Sequence, residues 1–336
     1  MKALLNTNFN ASVSDYLNTG TLVLSFILAC ILPFDLILLS YAFLGPAHYL
    51  TQISWMQKKS FFIGSKVFPW IAVLLSASFV IVYLFFIEDV EFGIVGGDGF
   101  SYYNNVFGYI LYTSFMIALI GLLQESWTKK VIYFLGAQLL FLLLHFQWQE
   151  LIIALALFIP TVIHVYVFTW AFMLHGALKT NSVVGYFNCF LMIFLGLLIM
   201  LILPDRIHYD DMIFKDMINN NIGYFSPASE YIRKAFSGFG EIGSAAALGF
   251  LSFAFTFHYL NWFSKINVIR WHDISRRRTI IIVGLYLLSI ALFLYKYYIG
   301  LLALIFLSIY HIITEFPLNI ITFKSLFSRL KFAKTA

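Results

Sequence analysis

The chain has 336 residues, of which 61% are hydrophobic and only 11% are charged. Because a soluble globular domain has about 25% charged residues, this composition excludes an ordinary soluble protein and indicates an integral membrane protein. The apolar runs have the length of membrane-spanning helices, whereas the strands of a membrane barrel would give segments of about 10 residues with alternating polarity. The net charge of +5 is explained by basic residues in the predicted loops, so we expect no nucleic-acid partner.

The apolar runs predict an all-α, polytopic bundle of nine transmembrane helices that forms a single transmembrane domain over residues 1–336. Each run is long enough to cross the hydrocarbon core of a bilayer. In chain order, the predicted helices cover residues 22–45, 67–87, 106–124, 130–148, 150–174, 183–204, 242–263, 278–296 and 299–319.

The charges in the predicted loops alternate in sign along the chain. Lys58 and Lys59 follow the first helix, Glu88 and Asp89 follow the second, and a strongly basic segment that includes Arg277 follows the seventh. By the positive-inside rule, the odd-numbered loops and the C-terminus are expected in the cytoplasm and the N-terminus outside. We therefore expect a multi-pass protein in contact with membrane lipids, in a bacterial inner membrane.

The sixth predicted loop, residues 205–241, is the one sizeable external segment. It contains a short amphipathic stretch over residues 226–236, with Pro227 near its start, as is common at the first position of a helix. This stretch could be an interfacial helix on the outer leaflet, or the loop could be a simple connection.

Four histidines lie near the same end of four different predicted helices: His48, His175, His258 and His311. Their positions fall within roughly one third of the membrane thickness. Ionisable side chains are costly within a membrane and are usually functional there. Neutral imidazole is a common ligand of iron, zinc and copper, so the shared depth predicts a metal site with these four histidines as ligands.

Two further residues extend this predicted site as candidate catalytic groups. Glu315 follows His311 by four residues and shares its helix face, so it could be a ligand or an orienting base. His164 precedes His175 by eleven residues and points the same way, roughly 16 Å deeper in the membrane. His164 could belong to a second site, line a substrate tunnel or carry protons. Asp35 is another acid within a predicted helix.

The leading hypothesis is a membrane metalloenzyme that uses non-haem iron to oxidise a lipid-soluble small molecule, as an oxygenase, hydroxylase or desaturase would. An electron-donor protein could serve as its partner. Haem and zinc stay open as alternatives to non-haem iron. Three other hypotheses stay open as well: a proton-coupled carrier that uses Asp35, His164 and Glu315, a b-type haem protein for electron transfer, and histidines that serve only helix packing.

The segment Gly45-x-x-His48, the polytopic topology and the histidines dispersed over several helices together resemble the bacterial beta-carotene-cleaving dioxygenases of the Brp/Blh family. The resemblance concerns topology and histidine usage over most of the chain. It implies a membrane enzyme with a histidine-bound iron that cleaves a carotenoid to retinal. Only His48 is carried over from that family's site.

A short sequence echo also links two of the histidines. His48 opens the triplet His-Tyr-Leu, and the same triplet begins at His258. The aromatic residues that follow the two histidines, among them Tyr49 and Trp262, are interpreted as part of an interfacial aromatic belt.

Overall fold

The computed structural model describes residues 2–59, 67–91, 97–124, 126–148, 159–203 and 244–333. All regular secondary structure within these ranges is helical. The elements in chain order are α1 (Lys2–Ile31), α2 (Asp35–Leu39), π1 (Ser40–Leu44), α3 (Gly45–Lys59), α4 (Phe68–Glu91), α5 (Gly97–Leu123), α6 (Trp127–Gln147), π2 (Ile159–Phe168), α7 (Thr169–Thr180), α8 (Val183–Ile202), α9 (Ser244–Ser264), α10 (Ile266–Ile269), α11 (Arg276–Tyr295) and α12 (Tyr297–Ala333). π1 and π2 are segments of wide, π-type turns.

Nine helical segments in the described ranges are long and apolar enough to cross a membrane, which is typical of a multi-pass membrane protein. The number of spans agrees with the sequence prediction, but the segments that form them differ from the predicted helices. Val13–Ile31 and Asp35–Lys58 both qualify where one helix was expected, whereas α9 is not among the nine. The predicted orientation of the termini stays a prediction. The predicted external loop over 205–241 lies outside the described residues.

The predicted first helix over residues 22–45 is wrong, because the chain breaks at Leu32–Phe34. Proline at position 33 has no N–H to donate and disfavours helical backbone in the residue before it. The hydroxyl of Ser252 donates a hydrogen bond to the carbonyl of Pro33, which ties the break to α9. His48 therefore lies near the middle of a second helical span rather than at the end of the first.

The last helix is longer than predicted, since α12 runs to Ala333 rather than ending near residue 319. Pro317 lies inside this helix and does not terminate it. A proline costs an interior helix about 3 kcal/mol, but here it lies in a stretch whose neighbours Phe316 and Asn319 are buried. Packing on both sides of Pro317 therefore keeps the helix continuous. Likewise, the span that contains His175 continues to Thr180 instead of ending at 174.

Helix α9 is the centre of the bundle. Every residue from Ala245 to Tyr259 is buried, so this helix is enclosed on all sides. It contacts α1, α8, the π1 and π2 segments, and the helices next to them. Helix α12 contacts α3, α4, α5, α7 and α11 and buries its own middle part. The histidines on α9 and α12 are thereby held in the interior.

Among the described spans, α6 and α11 are the least buried and expose large apolar side chains. On α6, only 6% of the segment Trp127–His145 is buried, and on α11 the corresponding fraction is 11%. Leu139 and Leu143 on α6 and Ile280 and Leu288 on α11 are more than half exposed. Such apolar surfaces are stable when lipid tails cover them.

Candidate metal centre

Four histidine rings meet in the interior of the bundle: His48 from α3, His164 from π2, His258 from α9 and His311 from α12. The ring centroid of His48 lies 4.6 Å from that of His258 and 4.8 Å from that of His311. The His164 centroid lies 5.0 Å from each of the same two rings. The centroids of His258 and His311 are 6.4 Å apart. The rings therefore form a four-membered cluster in which no side chain is more than 7% exposed.

The two π-type segments deliver two of the four histidines. His164 lies inside π2, four residues after Pro160, and His48 follows π1 by four residues. A π-type turn accommodates one residue more than an α-turn and so rotates the following side chains relative to a regular helix. Such turns occur frequently at functional sites, where they aim a side chain at a position that a regular helix would miss.

A hydrogen-bonded chain of Gln52, His311 and Glu315 fixes one side of the cluster. The amide of Gln52 donates to Oε2 of Glu315 over 2.6 Å, and its Oε1 accepts from Nε2 of His311 over 2.8 Å. Because the amide oxygen can only accept, His311 carries its proton on Nε2 and keeps a lone pair on Nδ1. Oε2 of Glu315 lies 3.2 Å from Nε2 of His311 and 4.0 Å from Nε2 of His164.

The histidine on α9 is oriented in the same manner by a hydroxyl group. Oγ1 of Thr169 lies 2.7 Å from Nδ1 of His258, and both side chains are buried. When Nδ1 donates to this hydroxyl, Nε2 of His258 keeps its lone pair. A histidine that binds a metal usually donates its other ring nitrogen in this way, so Thr169 is placed to accept from Nδ1 of His258 when Nε2 binds a metal.

Several buried polar atoms of the cluster lack a hydrogen-bond partner among the described residues. They are both ring nitrogens of His48, Nδ1 of His164, Nε2 of His258, Nδ1 of His311 and Oε1 of Glu315. Buried polar groups are almost always paired, and an unpaired one costs about 1–3 kcal/mol. Because a neutral imidazole keeps one lone pair, the cluster offers one ring nitrogen from each of the four histidines and a carboxylate oxygen of Glu315 as potential ligands of a metal cation.

Two groups of three residues in this cluster could hold a metal ion. One consists of His48, His258 and His311, and the other of His164, His311 and Glu315. Within each group the ligand atoms lie within 4.8 Å of one another. Metal–nitrogen bonds of about 2.0–2.1 Å bring ligand atoms to within roughly 3–4 Å of each other, so side-chain shifts of about 1 Å would close either group around an ion.

The echo between the two His-Tyr-Leu triplets corresponds to a contact in space. His48 and His258 are neighbours in the cluster, and the hydroxyls of Tyr49 and Tyr259 share a hydrogen bond of 2.6 Å. Both tyrosines are at most 2% exposed, and their rings pack against His48. The assignment of Tyr49 to an interfacial aromatic belt is therefore wrong, because these tyrosines form the apolar side of the cluster.

The structure brings together His48, His164, His258, His311 and Glu315 from the predicted site. His175 does not join them: it belongs to neither group of potential ligands and lines the cavity that leads to the cluster. His164 takes the place expected for His175. The span that contains both histidines continues to Thr180, six residues beyond the predicted end at 174, so His175 lies further from the middle of its span than expected. Asp35 is buried at 3% exposure and is also absent from the groups of potential ligands.

Sequence reasoning missed Gln52 and Thr169, the two residues that orient the histidines. The spacing offers a signal for Gln52, since it follows His48 by four residues, as Glu315 follows His311. Thr169 has no comparable signal, because it contacts His258 across 89 residues of sequence. Comparison with models of protein families, with curated proteins and with solved structures found no match to this chain.

Proposed function

We propose that this protein is a membrane metalloenzyme that binds non-haem iron in the histidine cluster and oxidises a lipid-soluble substrate with dioxygen. The observation that carries the proposal is the group of unpaired, buried ligand atoms on His48, His164, His258, His311 and Glu315. A structural role in helix packing would instead pair these atoms with hydrogen-bond partners.

The choice of iron rests on the composition of the ligand set. His164, His311 and Glu315 are two imidazoles and one carboxylate, which is the combination typical of non-haem iron oxygenases. The remaining histidines, His48 and His258, form the second group of potential ligands together with His311 and add two nitrogen donors. Iron held by such ligands supplies the capacity to bind and activate dioxygen.

The chain's own residues would orient the ligands and exclude bulk water. Gln52 and Thr169 keep lone pairs of His311 and His258 directed at the cluster, and Tyr49 and Tyr259 cover its apolar side. A cavity of about 10 Å³ between His164, Tyr259 and neighbouring side chains has room for about one water-sized molecule.

A haem would be harder to accommodate than a bare ion. Neighbouring rings of the cluster lie only 4.6–5.0 Å apart, so a porphyrin could not be inserted among all four histidines without separating the helices. A proton-coupled carrier that uses Asp35 with Glu315 finds no support here, because Asp35 lines neither of the cavities at the cluster. The ligand geometry therefore favours the iron enzyme over both alternatives.

The test is the metal content of the detergent-purified protein by elemental mass spectrometry. We expect about one equivalent of iron, which is lost in His258→Ala and His311→Ala and retained in His272→Ala, a substitution outside the cluster. Iron-free wild-type protein after reconstitution with ferrous ion under anaerobic conditions would reject the proposal. So would iron that persists in both cluster variants while their elution profiles match that of the wild type.

A further inference from the structure

A cavity of about 490 Å³ leads from the histidine cluster to the protein surface. Its buried end is formed by His48, His258 and Glu315, and its outer end by exposed residues that include Lys179 and Val268. This volume lies within the range of about 300–1,000 Å³ typical of small-molecule sites. The cavity therefore has the size and position of a substrate site for the cluster.

The cavity is long and follows two helices. On α7 it reaches from Thr169 to Lys179, and on α12 from Glu315 to Ser325. Ten residues of helix rise by roughly 15 Å, so the outer end lies about that far from the ligand atoms. An elongated molecule that enters here would place one end at the surface and its other end or its middle at the cluster.

The wall between the two ends is apolar and aromatic. Trp55 and Trp262 pack edge to face with ring centroids 5.7 Å apart, and Phe172, Leu318 and Ile321 also line the wall. The indole of Trp262 also lies 5.7 Å from His48. This surface would contact a hydrocarbon chain rather than a sugar or a nucleotide.

Two lysines line the cavity, together with the carboxylate of Asp15. Lys179 is exposed at the rim, whereas Lys265 lies deeper, just past the end of α9. Burial lowers the pKa of Lys265 to about 8, although the carboxylate of Asp15 acts in the opposite direction. Asp15 also accepts a hydrogen bond of 2.5 Å from the hydroxyl of Ser182 and so divides its charge between two partners. A second anion beside Lys265 would compensate for the cost of its burial.

We propose that this cavity binds a single-chain amphiphile whose anionic head group, a carboxylate or a phosphate, contacts Lys179 and Lys265 while its hydrocarbon chain extends to the histidine cluster. The inference rests on the proposed function, because it names the substrate class of that metal centre. A neutral hydrocarbon would fill the aromatic wall, but the described residues would offer the two ammonium groups no nearby carboxylate other than that of Asp15.

Equilibrium binding of three radiolabelled probes to the detergent-purified full chain tests this assignment: palmitate, lysophosphatidate and hexadecanol. We expect at least one of the two anionic probes to bind about tenfold more tightly than hexadecanol, which has the same chain type without charge. The double variant Lys179→Met/Lys265→Met should lose this preference but still bind hexadecanol, which reports an intact cavity. Lys324→Met, an exposed lysine of α12 outside the cavity, should behave as wild type.

Equal binding of all three probes by the wild type would overturn the assignment, and so would an undiminished preference for the anions in the double variant. Restored preference in Lys179→Arg/Lys265→Arg would support it, because arginine keeps the charge. Iron content measured on the same samples separates this inference from the proposed function. Iron-loaded protein without a preference for anions refutes the head-group site alone, whereas an anion preference in protein that cannot bind iron refutes the metal centre alone.

Discussion

Gln52 is a sensitive position at which to test how the cluster is organised. Its side chain makes two buried hydrogen bonds, one to the carboxylate of Glu315 and one from the ring of His311. The substitution Gln52→Leu keeps a side chain of similar size and removes both bonds. The ring of His311 is then held by one partner instead of two, because only Oε2 of Glu315, 3.2 Å from Nε2, is left to accept its proton.

The expected effect has two parts. A hydrogen bond to a charged group contributes about 1.5–3 kcal/mol and a neutral one about 0.5–1.5 kcal/mol, so the loss of both destabilises the metal-free fold by about 2–4.5 kcal/mol. Loss of a group that orients a ligand lowers metal affinity by about 10- to 100-fold. That factor corresponds to about 1.4–2.8 kcal/mol of binding free energy.

Both parts can be measured on detergent-purified protein. Anaerobic titration with ferrous or cobaltous ion gives the dissociation constant, and a thermal melt of the metal-free form gives the stability. The control is Gln147→Leu, an exposed glutamine at the end of α6. If Gln52→Leu bound metal as tightly as the wild type, Gln52 would have no part in orienting a ligand, and the hydrogen-bonded chain could not be an argument for a metal centre.

Three further predictions concern separate parts of the molecule. In Thr169→Val the metal dissociation constant should rise at least about tenfold, because His258 loses the hydroxyl that orients it; unchanged iron occupancy at limiting metal would contradict this. Gly300→Ala should lower the melting temperature, with a cost of about 1–3 kcal/mol, because its new methyl group would overlap the backbone of α11. Gly284→Ala, which faces open space, should leave that temperature unchanged or raise it. The rate at which Lys265 is acetylated, measured by mass spectrometry, should increase as the pH rises through about 8 and level off above that pH. Burial lowers the pKa of Lys265 and so favours the neutral amine, which is the reactive form. A midpoint near the ordinary pKa of 10.5 would contradict the burial of this side chain.

The sequence was sufficient to predict a bundle of helices long and apolar enough to cross a membrane, and most of the cluster. His258, His311 and Glu315 stand out because each is a polar group within a long apolar run, where burial without a partner is costly. Two such groups four residues apart on one helix face, together with histidines on other helices, point to convergence without any knowledge of the fold.

The first and last residues of the helices could not be predicted from the sequence. In a chain that is apolar on nearly every face, hydrophobic periodicity does not show where one helix ends. The prediction accordingly passed over the break at Pro33, ended the helix of His175 six residues early and ended the last helix near residue 319. The depth of each histidine in the membrane was counted from the predicted helix ends. His175 was therefore placed in the site, and His164 was placed roughly 16 Å deeper than His175.

The wide turns of π1 let the chain hold one additional residue before His48. Deletion of one residue within Ser40–Leu44 would allow this segment to become regular α-helix. Four α-helical residues turn the chain by about 400°, which is nearly the rotation of five residues in wider turns, so His48 would keep its direction relative to α2. Deletion of one residue between Gly45 and Ala47, in regular α-helix, would instead turn His48 by about 100° away from the other three imidazoles. A relative of this protein with all four histidines and one residue fewer in π1 should therefore still assemble the same centre, whereas a relative with one residue fewer between π1 and His48 should not.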